Sequence, residues 1–325
     1  MNTESVKQKY FAGYKSYLVL LLKLLIAAGI IYYLITYIDF NKVLLALNNS
    51  DLTFIYAAAI LSILNIYLQF LKWKLTCSQV LNENSNSKIL TSLFYGFSAG
   101  VITPIRIGEY FGRAIAFKDK SVLQTTVATL IDKFFPLLIV AFLGSMSMII
   151  FIYLFYDVSI YIASSLFILL FTFFYFLFVL IKTEKFWDSI FFSKLRSIKK
   201  LNRFFDKLQV LKKLDRVYFT KMSLISFLFY ACFLIQYSLL VTGFSQNTEF
   251  ANYLWAGNLI MFAKTIIPPI SFGELGIREG ASVFFLTQFG ETSEVAFNAS
   301  IFLFLINIFI PALFGLVLLI KKNND

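Results

Sequence analysis

Runs of about twenty apolar residues, the length that crosses a hydrocarbon layer of about 30 Å as a helix, recur along most of this chain. They are Leu18–Ile38, Leu52–Trp73, Val158–Ile181, Met222–Gly243 and Ala296–Ile320. In lipid every backbone N–H and C=O must be satisfied internally, which leaves only helices and closed barrels. These runs are twice the length of a barrel strand, so the chain reads as an all-α polytopic membrane protein. A sixth crossing is expected from about Pro136, within Val122–Tyr156. The first part of that stretch carries Asp132-Lys133 and reads as an interfacial or tilted lead-in. With 59% hydrophobic and 14% charged residues, the chain has too little polar surface to cover a soluble core.

Two segments are too short or too charged to be ordinary spans, and they resemble each other. Pro104-Ile-Arg-Ile-Gly-Glu-Tyr-Phe-Gly-Arg113 returns as Pro269-Ile-Ser-Phe-Gly-Glu-Leu-Gly-Ile-Arg278, in a chain with only five prolines. Pro, Ile, Gly, Glu and Arg keep their offsets. Short repeats arise by chance in biased sequences, so topology has to support this one. Each copy suits a re-entrant or broken helical hairpin, over 89–117 and 250–289. Lys and Arg favour cytoplasmic loops. That rule puts both termini, the loop after Trp73, the segment after Arg113 and the long basic connector inside. It puts the loops near Asp39–Asp51, Asp157, Glu249 and Glu291 outside. The first hairpin then enters from the cytoplasm and the second from outside, so the repeat is inverted. Halves related in this way are the signature of transporter cores.

The resulting layout is a cytoplasmic segment 1–17, a first membrane half 18–181, a connector 182–221, a second half 222–320 and a cytoplasmic tail 321–325. The net charge of +11 is concentrated in the connector, where twelve Lys/Arg face four acids. Its apolar residues recur every three or four positions, as in an amphipathic helix on the membrane surface. The charge therefore marks orientation rather than a nucleic-acid partner. No histidine is present, which excludes Ser-His triads and most zinc sites. Cys77 and Cys232 stand apart and form no metal or redox pattern. The first apolar run is too long for a signal peptide and reads as a retained span. The expected location is the cell membrane, with multiple passes.

Each proline break should start a new helix whose N–H groups point to mid-membrane. Pro104, Gly108, Pro268, Pro269, Gly273 and Gly276 are the backbone candidates. Glu109/Arg113 and Glu274/Arg278 are four apart and can each meet on one helix face. Ionisable groups at this depth are costly and usually functional. Arg106, Glu109, Arg113, Asp132, Lys133, Lys264, Glu274, Arg278 and Glu279 form the candidate substrate-binding set. The arginines and helix N-termini suit a phosphate, with Arg113 and Arg278 expected to line a polar cavity between the two hairpins at mid-membrane, and the glutamates suit charge balance, proton exchange or an amine. The plainer alternative is that each Glu/Arg pair only braces its hairpin. Asn65 and Gln69 read as interhelical glue, and Trp73, Trp187 and Trp255 as interface anchors.

Two segments carry a family resemblance: Ser98–Phe117 (SAGVITPIRIGEYFGRAIAF) and Ile266–Phe285 (IIPPISFGELGIREGASVFF). They resemble the two signatures of the lysylphosphatidylglycerol synthase transmembrane region, also called the flippase-like domain family. The likeness runs from about Tyr17 to Ile320. Pro104, Gly108, Glu109 and Arg113 match the first signature, and Pro269, Gly273, Gly276 and Glu279 the second. Asp132-Lys133 stands where the family often has an acidic-basic pair. Ser271-Phe-Gly-Glu274 replaces a Pro-Gly-Gly-type turn, and Asn307 stands where many members have an arginine. The resemblance implies a lipid-translocating membrane domain, here without the aminoacyl-transferase domain of bifunctional members. Two other classes stay open: an integral membrane transferase acting on polyprenyl- or lipid-phosphate, and a small-solute secondary transporter. No cofactor or metal is expected. Membrane lipids are the expected partners, together with a second copy of the chain or a separate lipid-modifying enzyme.

Overall fold

The computed structural model describes residues 40–182, 214–245, 247–267 and 276–324. The expected first span, most of the amphipathic connector, Trp187 and the second bend fall outside them. Every described element is helical: α1 (Phe40–Asn48), α2 (Leu52–Thr76), α3 (Asn86–Ile102), α4 (Gly108–Ala114), α5 (Val122–Phe155), α6 (Ile160–Lys182), α7 (Arg216–Ser245), α8 (Phe250–Ile266), α9 (Ile277–Gln288), α10 (Ser293–Phe304) and α11 (Ile310–Asn324). A π turn, Cys77–Leu81, extends α2, and another, Leu305–Phe309, joins α10 to α11. Five of the resulting helices are long and apolar enough to cross a membrane: 52–81, 122–155, 160–179, 216–245 and 293–321.

Asp51 starts α2 by accepting the Thr53 N–H at 2.9 Å. Asn82, in the left-handed region at φ 50°, ends the π turn that follows. Ser121 and Gln124 close a capping box at the head of α5, a reciprocal pairing that satisfies two orphan N–H groups. From there α5 runs unbroken for 34 residues. The expected division at Pro136 does not occur. Proline removes one N–H and tilts a helix, but it does not end one whose two sides are otherwise packed. Its cost falls on the Asp132 carbonyl four residues back, which loses its helical donor.

The two halves repeat, and they run in opposite directions. Helices α2 and α7 lie against each other along their length. The Asp51 N–H donates to the Gly243 carbonyl at 2.8 Å, Gln236 to the Ala58 carbonyl at 3.0 Å, and Thr76 Oγ1 meets Tyr218 Oη at 3.1 Å. Early residues of one face late residues of the other, so the pair is antiparallel. The remaining contacts obey the same exchange. Where α3 packs on α11, α8 packs on α5; where α4 packs on α5, α9 packs on α10. The first limb of each hairpin thus lies on the last span of the other half, and the halves interlock. At the α2–α7 crossing the Gln236 amide bonds Asn65 at 3.3 Å and Asn307 at 3.2 Å, while Gln69 donates to Asn65 at 2.9 Å. This is a buried amide rung at the centre of the repeat. Side-chain amides hold helices together in this way where lipid offers no hydrophobic force between them.

The main core gathers Tyr237, Leu240, Tyr253, Leu259 and Leu286 from the second half. A smaller one collects Trp73, Ile89, Leu93, Phe97 and Phe117 around the first hairpin. Helix α6 exposes Ile168, Leu169, Phe173 and Tyr175, the outward apolar surface expected of a helix against lipid.

Candidate functional site

The first hairpin closes because its two limbs can nearly touch. A Cβ on Gly108 would stand 2.1 Å from the Ala99 carbonyl oxygen, and one on Gly112 2.5 Å from that of Tyr95. Only glycine permits that approach. Thr103 fastens the bend: its hydroxyl donates to the Ala99 carbonyl at 2.9 Å and accepts the Gly108 N–H at 2.7 Å. Between them Ile105 and Arg106 both adopt left-handed backbone, at φ 58° and 54°. For a β-branched residue this is a true outlier, with a cost of about 1–3 kcal/mol that packing must sustain. The turn folds the Arg106 side chain back onto Glu109.

Six charged groups from α2, the bend, α4 and α5 converge there. Arg113 forks between two carboxylates, with Nη2 2.8 Å from Glu109 Oε1 and Nη1 2.9 Å from Asp132 Oδ2. The other Glu109 oxygen receives Lys133 at 2.6 Å and Arg106 at 3.1 Å. Lys72 stands 3.8 Å from Asp132 Oδ1, an oxygen with no hydrogen bond. The Arg113 guanidinium also lies 4.4 Å from the centre of the Trp73 ring. Ser92 links these groups by donating to the Arg113 carbonyl at 2.8 Å and accepting from Trp73 Nε1 at 3.2 Å. Arg113, Glu109 and Asp132 are each 2% exposed. Lys133 alone reaches outward appreciably, its side chain one-third exposed at 33%. Helix α4 also favours the order of its charges, with Glu109 in the first turn and Arg113 in the last, matching the macrodipole.

Among the described residues the second centre is smaller, and it is enclosed. Arg278 and Glu279 are both 1% exposed. They bond each other side by side in sequence, and Ser300 accepts from Arg278 Nε at 3.1 Å and donates to Glu279 at 3.2 Å. Gly276, at φ 97°, opens α9, and its N–H donates to Glu279 at 2.6 Å. The repeated letters therefore land differently: Arg113 ends a helix, whereas Arg278 begins one.

Five of the candidates, Arg106, Glu109, Arg113, Asp132 and Lys133, come together, and Arg278 with Glu279 makes a second group. Lys264 is partly buried in the last turn of α8. Pro268, Pro269, Gly273 and Glu274 lie outside the described residues. Three expectations need correction. The first N–H of each new helix does not wait for an anion: that of Gly108 is taken by Thr103 and that of Gly276 by Glu279. The two arginines do not line an open cavity, since both are enclosed. Trp73 is no interface anchor: it is fully buried under Arg113. Sequence reasoning also missed Lys72, which is only 4% exposed. Its position one turn from the end of a span, beside a tryptophan, gave no signal that it faces inward. A shallow pocket of about 430 Å³ at the far end of the first hairpin is lined by Lys88, Thr91, Tyr95 and Lys118, and shares no side chain with the six-group centre. Among the described residues no three His, Cys, Asp or Glu side chains converge, and both carboxylates of the centre are held by cations.

A comparison with curated proteins returns no match. A family profile described as the lysylphosphatidylglycerol synthase TM region, by contrast, matches residues 20–315 and so takes in both hairpins and both charged centres. That membership points to a role connected with membrane lipids, carried out by a multi-pass membrane protein. By the extent of that match, the chain belongs to the lysylphosphatidylglycerol synthase TM region family.

Proposed function

We propose that this protein passes a lipid head group between the leaflets of the cell membrane, with both termini on the cytoplasmic side. The observation that carries the reading is the buried charged centre on the first hairpin, where the described residues bring Lys72, Arg106, Arg113 and Lys133 together with Glu109 and Asp132. Ionisable groups are expensive at this depth and are retained where a polar cargo needs them. Arginine offers two-point contact to a phosphate and lysine a compact charge. The inverted, interlocked halves support the reading, since such repeats let one hairpin open while its counterpart closes. Family membership supplies the connection to lipids.

The test is lipid scrambling in proteoliposomes holding the full chain. Arg113→Ala should abolish the exchange of labelled phospholipid between leaflets in protein that still reconstitutes. Exchange at the wild-type rate in that variant would overturn the proposal.

A further inference from the structure

We infer that the head group accepted by this centre carries net negative charge, a phosphate with no compensating amine, and that Lys133 is the residue that selects it. The inference rests on the translocator reading above and narrows it.

Charge balance comes first. With Arg106 left aside, Lys72, Arg113 and Lys133 face Glu109 and Asp132, three positive groups against two negative. The second centre is one arginine against one glutamate, so the described residues there bring no spare negative charge.

Geometry comes second. Among the described residues, no carboxylate oxygen of this centre stands open to a head-group amine. Both Glu109 oxygens and Asp132 Oδ2 are within 3.1 Å of a cation. Asp132 Oδ1 is enclosed and faces Lys72 at 3.8 Å. An amine could enter only by displacing a resident cation, which would leave a buried charge uncompensated. A phosphate oxygen meets no such obstacle. The Lys133 ammonium has three donors, holds Glu109 with one, rests 5.5 Å from the Tyr110 ring centre and is one-third exposed at 33%. It is the most exposed cation of the cluster, ahead of Arg106 at 15%.

The experiment uses the purified full chain and three lipids with identical acyl chains: phosphatidic acid, phosphatidylglycerol and phosphatidylethanolamine. Retained lipid is read by native mass spectrometry, and the thermal unfolding midpoint by fluorescence. The two anionic lipids should be retained about tenfold over phosphatidylethanolamine, a difference of about 1.4 kcal/mol. The phosphatidic acid advantage should grow from roughly pH 5 to 7.5, as a phosphomonoester loses its second proton near about 6. Lys133→Gln should cut the anionic preference to about threefold or less, and Lys133→Arg should keep it. Equal retention of phosphatidylethanolamine, or a preference untouched by Lys133→Gln, would overturn the inference. Inorganic phosphate alone should stabilise far less than the lipids, and a matching effect would overturn the assignment to a lipid. The two readings fail separately: scrambling that still needs Arg113 while the zwitterion binds equally well removes only the charge assignment.

Discussion

Two copies of one decapeptide have become two different objects. Around the first, four cations and two carboxylates from four segments meet at a strained bend, and one of them, Lys133, opens outward. Around the second, Arg278 and Glu279 close on each other and on Ser300, each 1% exposed. A buried one-to-one pair with every near oxygen engaged is what a brace requires. An unequal, partly open cluster is what a binding site requires. The repeat thus describes how the chain was folded into two opposed halves, and the surroundings of each copy decide its work. Helix α5 supplies Asp132 and Lys133 to the first centre, while α10 supplies the uncharged Ser300 and Phe304 to the second.

The largest expected effect separates brace from site by double substitution. Arg113→Met strips the shared partner from two buried carboxylates, and breaking such a pair costs about 3–5 kcal/mol. Arg278→Met should cost a similar amount by leaving Glu279 alone. Neutralising the orphan should then repair only stability. In Arg278→Met/Glu279→Gln the unfolding midpoint should recover and lipid exchange should persist. In Arg113→Met/Asp132→Asn, which neutralises the carboxylate left with only Lys72 at 3.8 Å, the midpoint should recover in part and exchange should stay lost. If the second double variant folds and still exchanges lipid, or the first folds and does not, the contrast between the two centres is wrong.

A smaller effect tests whether the first hairpin depends on close approach. Gly108→Ala places a methyl 2.1 Å from the Ala99 carbonyl oxygen, a backbone atom that cannot swing away. The limbs must part, at a cost of roughly 1–3 kcal/mol, and the Thr103 link to the residue 108 N–H should go with them. A midpoint unchanged from wild type would show that the limbs are not held this tightly.

Much of this was legible from the letters. Apolar run length gave four of the five described crossings, all but 122–155, because the hydrocarbon thickness sets it. The inverted relation followed from Lys/Arg placement, because orientation is decided by loop charge. Five members of the first centre were named from their depth and spacing alone. What escaped has physical reasons. Lys72 and Trp73 belong to a different span, and side-chain direction at a helix end depends on what packs there; Asp132 draws Lys72 inward and Arg113 draws Trp73. Pro136 was read as a boundary, yet the local rule for proline yields when both flanks of a helix are anchored. The fate of Arg278 depended on where α9 begins, and Gly276 at φ 97° sets that start, a backbone fact that the repeated motif does not encode.

The smallest effect has the opposite sign and completes the comparison of the two hairpins. Gly280 lies inside α9, and a Cβ built there would meet no atom within 4 Å. Glycine within a helix is worth about 0.5–1 kcal/mol less than alanine, through backbone entropy. Gly280→Ala should therefore raise the unfolding midpoint slightly while Gly108→Ala lowers it. The first hairpin has spent its glycines on contact between limbs, and the second has room where this one sits. If Gly280→Ala instead destabilises the protein, α9 comes closer to a neighbour than the open space at this position allows, and the second hairpin shares the tight construction of the first. If it stabilises the fold and leaves lipid exchange unchanged, α9 is a support that tolerates stiffening, as a brace should.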